Sequence, residues 1–463
     1  VDFDRLLRYM NPWWDGARDA VLPGSPVRRA LFDALVTSLD TPFVDVVVGI
    51  RRVGKTVLLH QLVAHLLERG VDPRHILVFQ FEETAARVSV EDVVERYFDL
   101  VVGATPATAP ARTYIFLDEI QVQPDWPAHV KRYRDLNPAG VKFVVSGSHA
   151  HLIRSDSRES LAGRIAEHRL DPFCYPEYLA LRGESVTPVD LDRLLSDDGP
   201  AVLDRLRFDA STSTARHSDR YLRYACCGQF PEVARAEPRE AFTYLNERVT
   251  ERVLRMDLPS RFADAIAKPR SLQDLYALLA EESGGLLEVA NLAGEAGINQ
   301  RTLTKYLDVL AEGFLVRLVP NHQRSARVTF RSAHKCYLGT SNLFAAHHHL
   351  EPGAVANPLL AGVLLEVAVL DALSARPGHA VSFWREGRYE VDFVLEAHAE
   401  GRLIPIEVKS GRRARSDDVH GLAAFFRRFG PKATAGVLIT RDTFDLRRVE
   451  GRPVYVLPAW TLG

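Results

Sequence analysis

Residues Gly49–Thr56, GIRRVGKT, constrain the fold more than any other stretch of this chain. The segment fits G-x-x-x-x-G-K-[S/T] in full, and its flanks give that pattern a structural setting. Before it runs Phe43–Val48, apolar and β-branched as a buried strand is; after it comes Val57–Val63, whose apolar spacing predicts a helix. A loop between strand and helix turns its backbone N–H groups and the positive end of the helix dipole toward one point, which suits phosphate. Gly49 and Gly54 belong to that cradle, Lys55 is placed to reach the β- and γ-phosphates, and Thr56 to offer its hydroxyl to Mg2+. ATP and Mg2+ are therefore the expected ligands.

A second stretch agrees with the first. Tyr114–Glu119 is an apolar run ending in two carboxylates, so Asp118 is expected to support the Mg2+ shell and Glu119 to orient and deprotonate an attacking water. Phosphoryl transfer asks a protein mainly for positioning and charge stabilisation, which these groups supply. A further strand, Val141–Val145, ends in Ser146-Gly147-Ser148, where either serine is a candidate sensor of the γ-phosphate or lytic water. With Ile76–Phe81 as another strand, the alternation of strands and helices predicts a parallel sheet covered by helices.

The 463 residues, 46% hydrophobic, suffice for two or three cores, so several domains are expected. Basic residues number 58 against 60 acidic ones, and a net charge of −2 gives no global field for nucleic acid; any such contact must be a local patch. Cys174, Cys226, Cys227 and Cys336 show no C-x-x-C spacing, which argues against a zinc site or a disulfide framework and for reduced core thiols. No apolar stretch reaches the roughly 20 residues of a membrane span, and the start lacks a signal peptide's order, so a cytoplasmic protein without membrane contact is expected. Trp13 and Trp14 are expected to pack on the nucleotide domain.

The beginning of the chain reads as a helical preamble broken by Pro23 and Pro26. From Pro172 to about Lys268 the pattern is helical, with helices starting near Pro176 and spanning Ala241–Leu254. Leu272–Glu281, Leu287–Ala293 and Gln300–Leu310 then predict three helices, the last two joined by Gly297-Ile298-Asn299, as in a helix-turn-helix. Gly313–Val319 would supply the strands of a wing, and Gln300, Arg301, Thr304 and Lys305, exposed on the candidate recognition helix, can contact phosphates or bases, while a protein-docking or spacer module is the alternative.

Near the C-terminus, Glu366 lies on an apolar helix, Asp392 in the strand Tyr389–Leu395, and Glu407 and Lys409 in Ile404–Lys409. A helical Glu, a strand Asp and E-x-K about a hairpin later is the spacing of PD-(D/E)xK nuclease folds. Alternation along a strand puts Glu407 and Lys409 on one face, so Glu407 can ligate a divalent metal with Asp392 while Lys409 stabilises charge or positions water. A cross-strand Glu–Lys pair on an exposed face is the plain alternative. The run Arg412-Arg413-Ala414-Arg415, with Arg427 and Arg428, is a candidate phosphate-tracking face. His347, His348 and His349 read as a surface loop, since consecutive residues do not share a face.

The fold class expected is α/β: a P-loop ATPase domain with its preamble over 1–170, a helical lid over 171–270, a winged helix over 271–325 and a restriction-endonuclease-like α/β domain over 326–463. GIRRVGKT, YIFLDEIQ, VVSGSH, ESLAGRIAEHRLDPFCYPEY, YACCGQFPEV, KCYLGTSNL, EVDFVLE and IPIEVKSG occur in that order. In these motifs the chain resembles prokaryotic AAA-type P-loop ATPases fused to a C-terminal domain with a restriction-endonuclease-like core. The resemblance implies Lys55, Thr56, Asp118 and Glu119 in the usual ATPase roles, Gln121 beside them, and Arg164 as a sensor of the γ-phosphate. It also marks a departure: Tyr337–Leu343 carries Thr340 and Asn342 where the family has Asp and Gly, so any help from that Asp to the C-terminal site is missing here.

Two outputs stay open at this point: ATP-controlled action on DNA by an enzyme, or a non-cleaving regulator that binds DNA or a partner protein. A ring-forming remodeller is a third, for which a homo-oligomer would need an arginine such as Arg252 or Arg255 offered to a neighbour's nucleotide.

Overall fold

The computed structural model describes residues 2–17, 27–81, 88–149, 161–211, 213–266, 268–322, 333–353, 357–397, 401–412 and 414–463. Pro23, Pro26 and Arg413 lie outside the described residues. The chain divides into two compact units, Val1–Pro172 and Phe173–Gly463.

The first unit is built on five strands: β1 (Val44–Val48), β2 (Ile76–Gln80), β3 (Thr113–Asp118), β4 (Val141–Gly147) and β5 (Ile165–Arg169). They lie in the order β2-β3-β4-β1-β5, with each neighbouring pair parallel. VDVVV, TYIFLD and VKFVVSG are buried at every position, as expected of strands covered on both faces. Among the described helices, α1 (Phe3–Met10) precedes the sheet, α2 (Leu31–Ser38) leads to β1, α3 (Lys55–Glu68) follows it, and α4 (Val90–Tyr97) and α5 (Trp126–Leu136) flank β3 in sequence.

Asp45 and Lys142, charged residues inside buried strands, answer each other. Asp45 of β1 is fully buried and pairs with Lys142 of β4 at 2.9 Å and with His168 of β5 at 2.8 Å. At the other side of the sheet, β2 is an edge strand, and the N-terminal arm closes it. The Asn11 side chain donates to the Val78 carbonyl and accepts from the Val78 N–H, while the indoles of Trp13 and Trp14 both donate to the Ile76 carbonyl. The two tryptophans thus pack on this domain as expected. An edge covered in this way offers no free ladder to another chain.

The second unit begins with helices α6 (Tyr175–Ala180), α7 (Gly199–Ala210), α8 (Thr214–Cys227) and α9 (Pro238–Tyr244), the last continuing as π-wound turns through Asp257. Next come α10 (Pro269–Glu281), α11 (Val289–Glu295) and α12 (Gln300–Glu312). Gly297, at φ +63, turns the chain between α11 and α12, and the Asn299 side chain caps α12 at the Thr302 N–H. Gln300, Arg301, Thr304 and Lys305 are exposed on α12. β6 (Val316–Pro320) follows, but its partner is not local: it pairs antiparallel with β7 (His334–Leu338). The expected wing strand therefore closes onto residues from the region assigned to the next domain.

α13 (Ser341–His347) and α14 (Pro358–Ser374) lead to a six-stranded sheet of order β12-β13-β11-β10-β9-β8. Its strands are β8 (His379–Glu386), β9 (Tyr389–Ala397), β10 (Arg402–Val408), β11 (Gly436–Thr440), β12 (Asp445–Val449) and β13 (Arg452–Pro458). β9 pairs antiparallel with β8 and β10, whereas β10, β11 and β13 run parallel. α15 (His420–Phe429) packs Leu422, Phe425 and Phe426 into a core with Trp384, Val391, Leu438 and Val456. α14 supplies Glu366 beside this sheet.

Candidate functional site

The phosphate loop is held by backbone conformations that only certain residues accept. Gly54, the N-cap of α3, has φ +101, in the region that favours glycine. A Cβ at Gly49 would sit 2.3 Å from the Leu170 carbonyl oxygen. Lys55 is the first residue of α3 and is 5% exposed; its Nζ donates to the carbonyls of Gly49 and Ile50 at 2.9 and 3.3 Å and to Ser148 Oγ at 2.9 Å. The ammonium is thus poised at the loop, against acceptors that a phosphate can replace.

Thr56 Oγ1 donates to Asp118 Oδ2 at 2.6 Å, and Ser146 donates to the other oxygen of the same carboxylate. β4 lies between β1 and β3, so the residues ending it face both the loop and the two acids. Ser148 Oγ stands 3.3 Å from each oxygen of Glu119, and the Gln121 amide donates to Glu119 Oε2. Ser146 and Ser148 therefore divide the acids between them, and Ser148 is the one that also touches Lys55. Glu119 itself is at φ +54, a left-handed conformation costing roughly 1–2 kcal/mol, and strain of this kind concentrates at functional sites.

Electrostatics separate the two acids. Burial pushes the Asp118 carboxyl up, and the neighbouring Glu119 charge adds to it, against hydrogen bonds from Ser146 and Thr56. Burial would raise Glu119 too, but Lys55, the Gln121 amide, Arg51 and His149 together hold it below its ordinary value. The shared surroundings thus shift the two acids in opposite directions. A buried carboxylate already sharing a hydrogen bond with a helix-N-terminal threonine fits a hard cation such as Mg2+, for which Thr56 and Asp118 would be the protein oxygens. Such a cation supplies charge neutralisation of the phosphates.

Arg164 does not join this site. β5 runs parallel to β1, and Arg164 precedes β5, so its carbonyl accepts from the Val44 N–H where β1 begins, whereas the loop follows Val48, where β1 ends. The two ends are a strand length of roughly 16 Å apart. The guanidinium instead donates to Asp135 at 3.0 Å. The γ-phosphate role expected for Arg164 is withdrawn. Besides Lys55, the charges of Arg51, inside GIRRVGKT, and of His149, directly after Ser148, reach Glu119, and sequence reasoning assigned neither.

In the second unit the acidic residues do converge. Ile406 pairs with Phe393 across β9 and β10, which makes Asp392 and Glu407 cross-strand neighbours on one face. Asp392 Oδ2 accepts from the Val408 N–H at 2.8 Å, and Lys409 Nζ lies 2.5 Å from Glu407 Oε1 and 3.9 Å from Asp392 Oδ2. The Tyr337 hydroxyl donates to Glu366 Oε2 at 3.1 Å. Lys335, 4% exposed, pairs with Glu390 at 2.5 Å. Burial, then the charge of Asp392, raises Glu366 to about 7 and Glu407 well above the usual carboxylate range. Burial would lower Lys409, but Asp392 and Glu407 outweigh it and raise it. Glu407 Oε2 is buried and accepts no hydrogen bond from the described residues. Crowded acids with an orphaned oxygen fit a divalent cation held by Asp392 and Glu407. Lys335 and Tyr337 were not assigned from sequence, although their period-two spacing in KCYLGTSNL was the signal.

Thr340 has another role than the departure suggested. Its hydroxyl accepts from the Leu343 N–H and caps α13, a task that Asp performs equally well. Asn342 bridges α8 and α13 through the carbonyls of Tyr224 and Ala225 and the backbone of Gln229. Neither residue is among the acids of the cluster. On the proposed phosphate face, Arg427 pairs with Glu450, Arg428 with Glu386 and Arg412 with Asp442.

Comparison with known proteins bears on the domain that holds the first of these sites. Residues 42–179 match a family model described as an AAA domain, while residues 218–352 and 361–462 match two domains of unknown function, DUF8612 and DUF4143. An uncharacterised protein of Haemophilus influenzae is 22% identical over 442 residues, 94% of this chain and 98% of that one. The uncharacterised protein MJ1544 of Methanocaldococcus jannaschii is 19% identical over 281 residues, 60% of this chain and 56% of its own. Among solved structures, the Aeropyrum pernix ORC1 protein in complex with DNA superposes with a TM-score of 0.29 at 16% identity, covering 72% of this chain and 96% of that one. Drosophila ORC bound to AT-rich DNA and Cdc6 gives 0.24 at 12% identity, covering 75% and 97%. Superpositions this shallow assign no partner. The family match and the loop geometry together make the first unit an AAA-type P-loop domain. Among the described residues, no helix is long and apolar enough to cross a membrane.

Proposed function

We propose that the chain hydrolyses ATP with Mg2+ in its first unit and that nucleotide state controls a metal-dependent, nuclease-like site acting on DNA in its second. The observation carrying the first half is the convergence of Lys55, Thr56, Asp118, Glu119 and Ser148 at the ends of β1, β3 and β4. In this reading Lys55 binds the β- and γ-phosphates and Glu119, steadied by Gln121 and Ser148, takes a proton from water. The second half is supported by Glu366, Asp392, Glu407 and Lys409 meeting on one face with an orphaned carboxylate oxygen. There Lys409 would steady developing charge, and Asp392 and Glu407 would hold the cation.

Plasmid and linear DNA incubated with the purified chain and Mg2+ or Mn2+, with and without ATP, test this reading. Cleavage that disappears in Asp392→Ala, with ATPase activity kept, is the expected result. A second reading has its own observation: the arginines of the basic face are ion-paired to neighbouring carboxylates, which weakens their claim on phosphates. Intact ATP turnover with no cleavage under any condition would favour an ATP-switched regulator that binds DNA or a partner protein through the exposed α12 residues.

A further inference from the structure

We propose that Glu281, His347 and His348 form a binding site for a divalent transition-metal ion, made of none of the residues of the two sites above. Glu281 is the last residue of α10, His347 the last of α13, and His348 the C-cap of α13. Sequence reasoning placed the three histidines on a surface loop because neighbours do not share a face. The structure half-buries the first two. Residues one step apart on a helix point about 100° apart, so a carboxylate brought between them from another helix is within reach of both. Glu281 Oε1 lies 3.4 Å from His347 Nε2 and 3.9 Å from His348 Nδ1. One donor atom from each residue lies within 4.8 Å of the other two. A tetrahedral ion with bonds of about 2.0–2.1 Å spaces its donors about 3.4 Å apart, so small side-chain adjustments close the site. His349, at φ +51, turns its ring toward Phe242 and takes no part.

The surroundings fix the ligand atoms. His348 Nε2 is 3.2 Å from the Ala280 carbonyl, which can only accept, so Nε2 carries the proton and Nδ1 presents its lone pair toward Glu281. That is the carbonyl-to-histidine support seen behind metal ligands. The His347 ring meets Tyr276 and the His348 ring packs 4.6 Å from Phe344, which limits their rotation. Two imidazoles and one carboxylate suit Zn2+, Ni2+, Cu2+ or Fe2+ rather than Mg2+ or Ca2+, and three protein ligands leave a position for water. Bound there, the ion would join the end of α10, ahead of the helix-turn-helix, to α13, ahead of the C-terminal sheet.

The test is calorimetric titration of the nucleotide-free full chain with Zn2+ in excess Mg2+, which occupies the oxygen-rich sites. One Zn2+ should bind in the micromolar range or tighter. His347→Ala and Glu281→Gln should each weaken it at least about tenfold, and Asp392→Asn should leave it unchanged. The Glu281 side chain is 67% exposed, so its amide replacement keeps the fold testable. Co2+ should give a visible d–d band that His347→Ala removes. Binding of equal strength in both variants, or none surviving excess Mg2+, overturns the proposal.

Discussion

In the proposed ATPase site Lys55 and Glu119 divide one task, and single substitutions separate their shares. Lys55 holds the loop carbonyls and Ser148, so Lys55→Ala should remove ATP turnover by at least about a hundredfold and weaken nucleotide binding with it. Glu119→Gln keeps the shape but not the base, so turnover should fall about 10²–10⁴-fold while a fluorescent ATP analogue still binds. Equal loss of binding in both variants would remove the base role from Glu119. The loop was legible because strand, spacing and helix agreed in one short window. Arg164 was misplaced because a motif carries no direction: only the parallel pairing of β5 with β1 says at which end of the sheet the residue before β5 must lie. Lys142, by contrast, gave no sign in sequence beyond an odd charge in an apolar run. It is 1% exposed against a fully buried Asp45. Removing one partner of a buried pair leaves an uncompensated charge, so Lys142→Met should destabilise the chain by about 3–5 kcal/mol in urea unfolding. A loss below about 1 kcal/mol would mean that His168 and Ser38 satisfy Asp45 without it.

Among the elements, the N-terminal arm shows how a few side chains can finish a sheet. Asn11 pairs with both backbone groups of Val78 on edge strand β2 and is itself fully buried. Asn11→Ala strands both groups, so about 2–3 kcal/mol should be lost, with the Val78 amide exchanging faster than those of β1. Unchanged exchange at Val78 would show that the edge does not depend on the arm. That two tryptophans near the start pack on this domain was legible from composition, but the asparagine between helix and tryptophans was not, because its partners are 67 residues away. The same physics hid the partner of β6. Gly313–Val319 was expected to supply the strands of a wing, but pairing of Val316–Pro320 with His334–Leu338 is a long-range choice that local pattern does not encode. The carboxylates of β9 and β10 were easier, because hairpin neighbours inherit their register from each other.

At the scale of the molecule, two units have separate sheets, each proposed chemistry lies within one of them, and the chain passes from one to the other at Pro172. The sequence pattern showed the change of texture there, yet no motif states whether nucleotide turnover governs the second site. Separation of the units decides it. A fragment beginning at Phe173 retains the six-stranded sheet with the core around Trp384 and Phe425, so it should unfold cooperatively by itself. Its acidic cluster should still bind Mn2+, because Glu366, Asp392, Glu407 and Lys409 all lie within it. If nucleotide state governs the cluster, DNA cleavage by the fragment becomes indifferent to ATP, while the full chain responds to ATP and its Lys55→Ala variant does not. A fragment that cleaves like the full chain, with the full chain also indifferent to ATP, would separate the two activities and end the coupling proposal while leaving both sites standing.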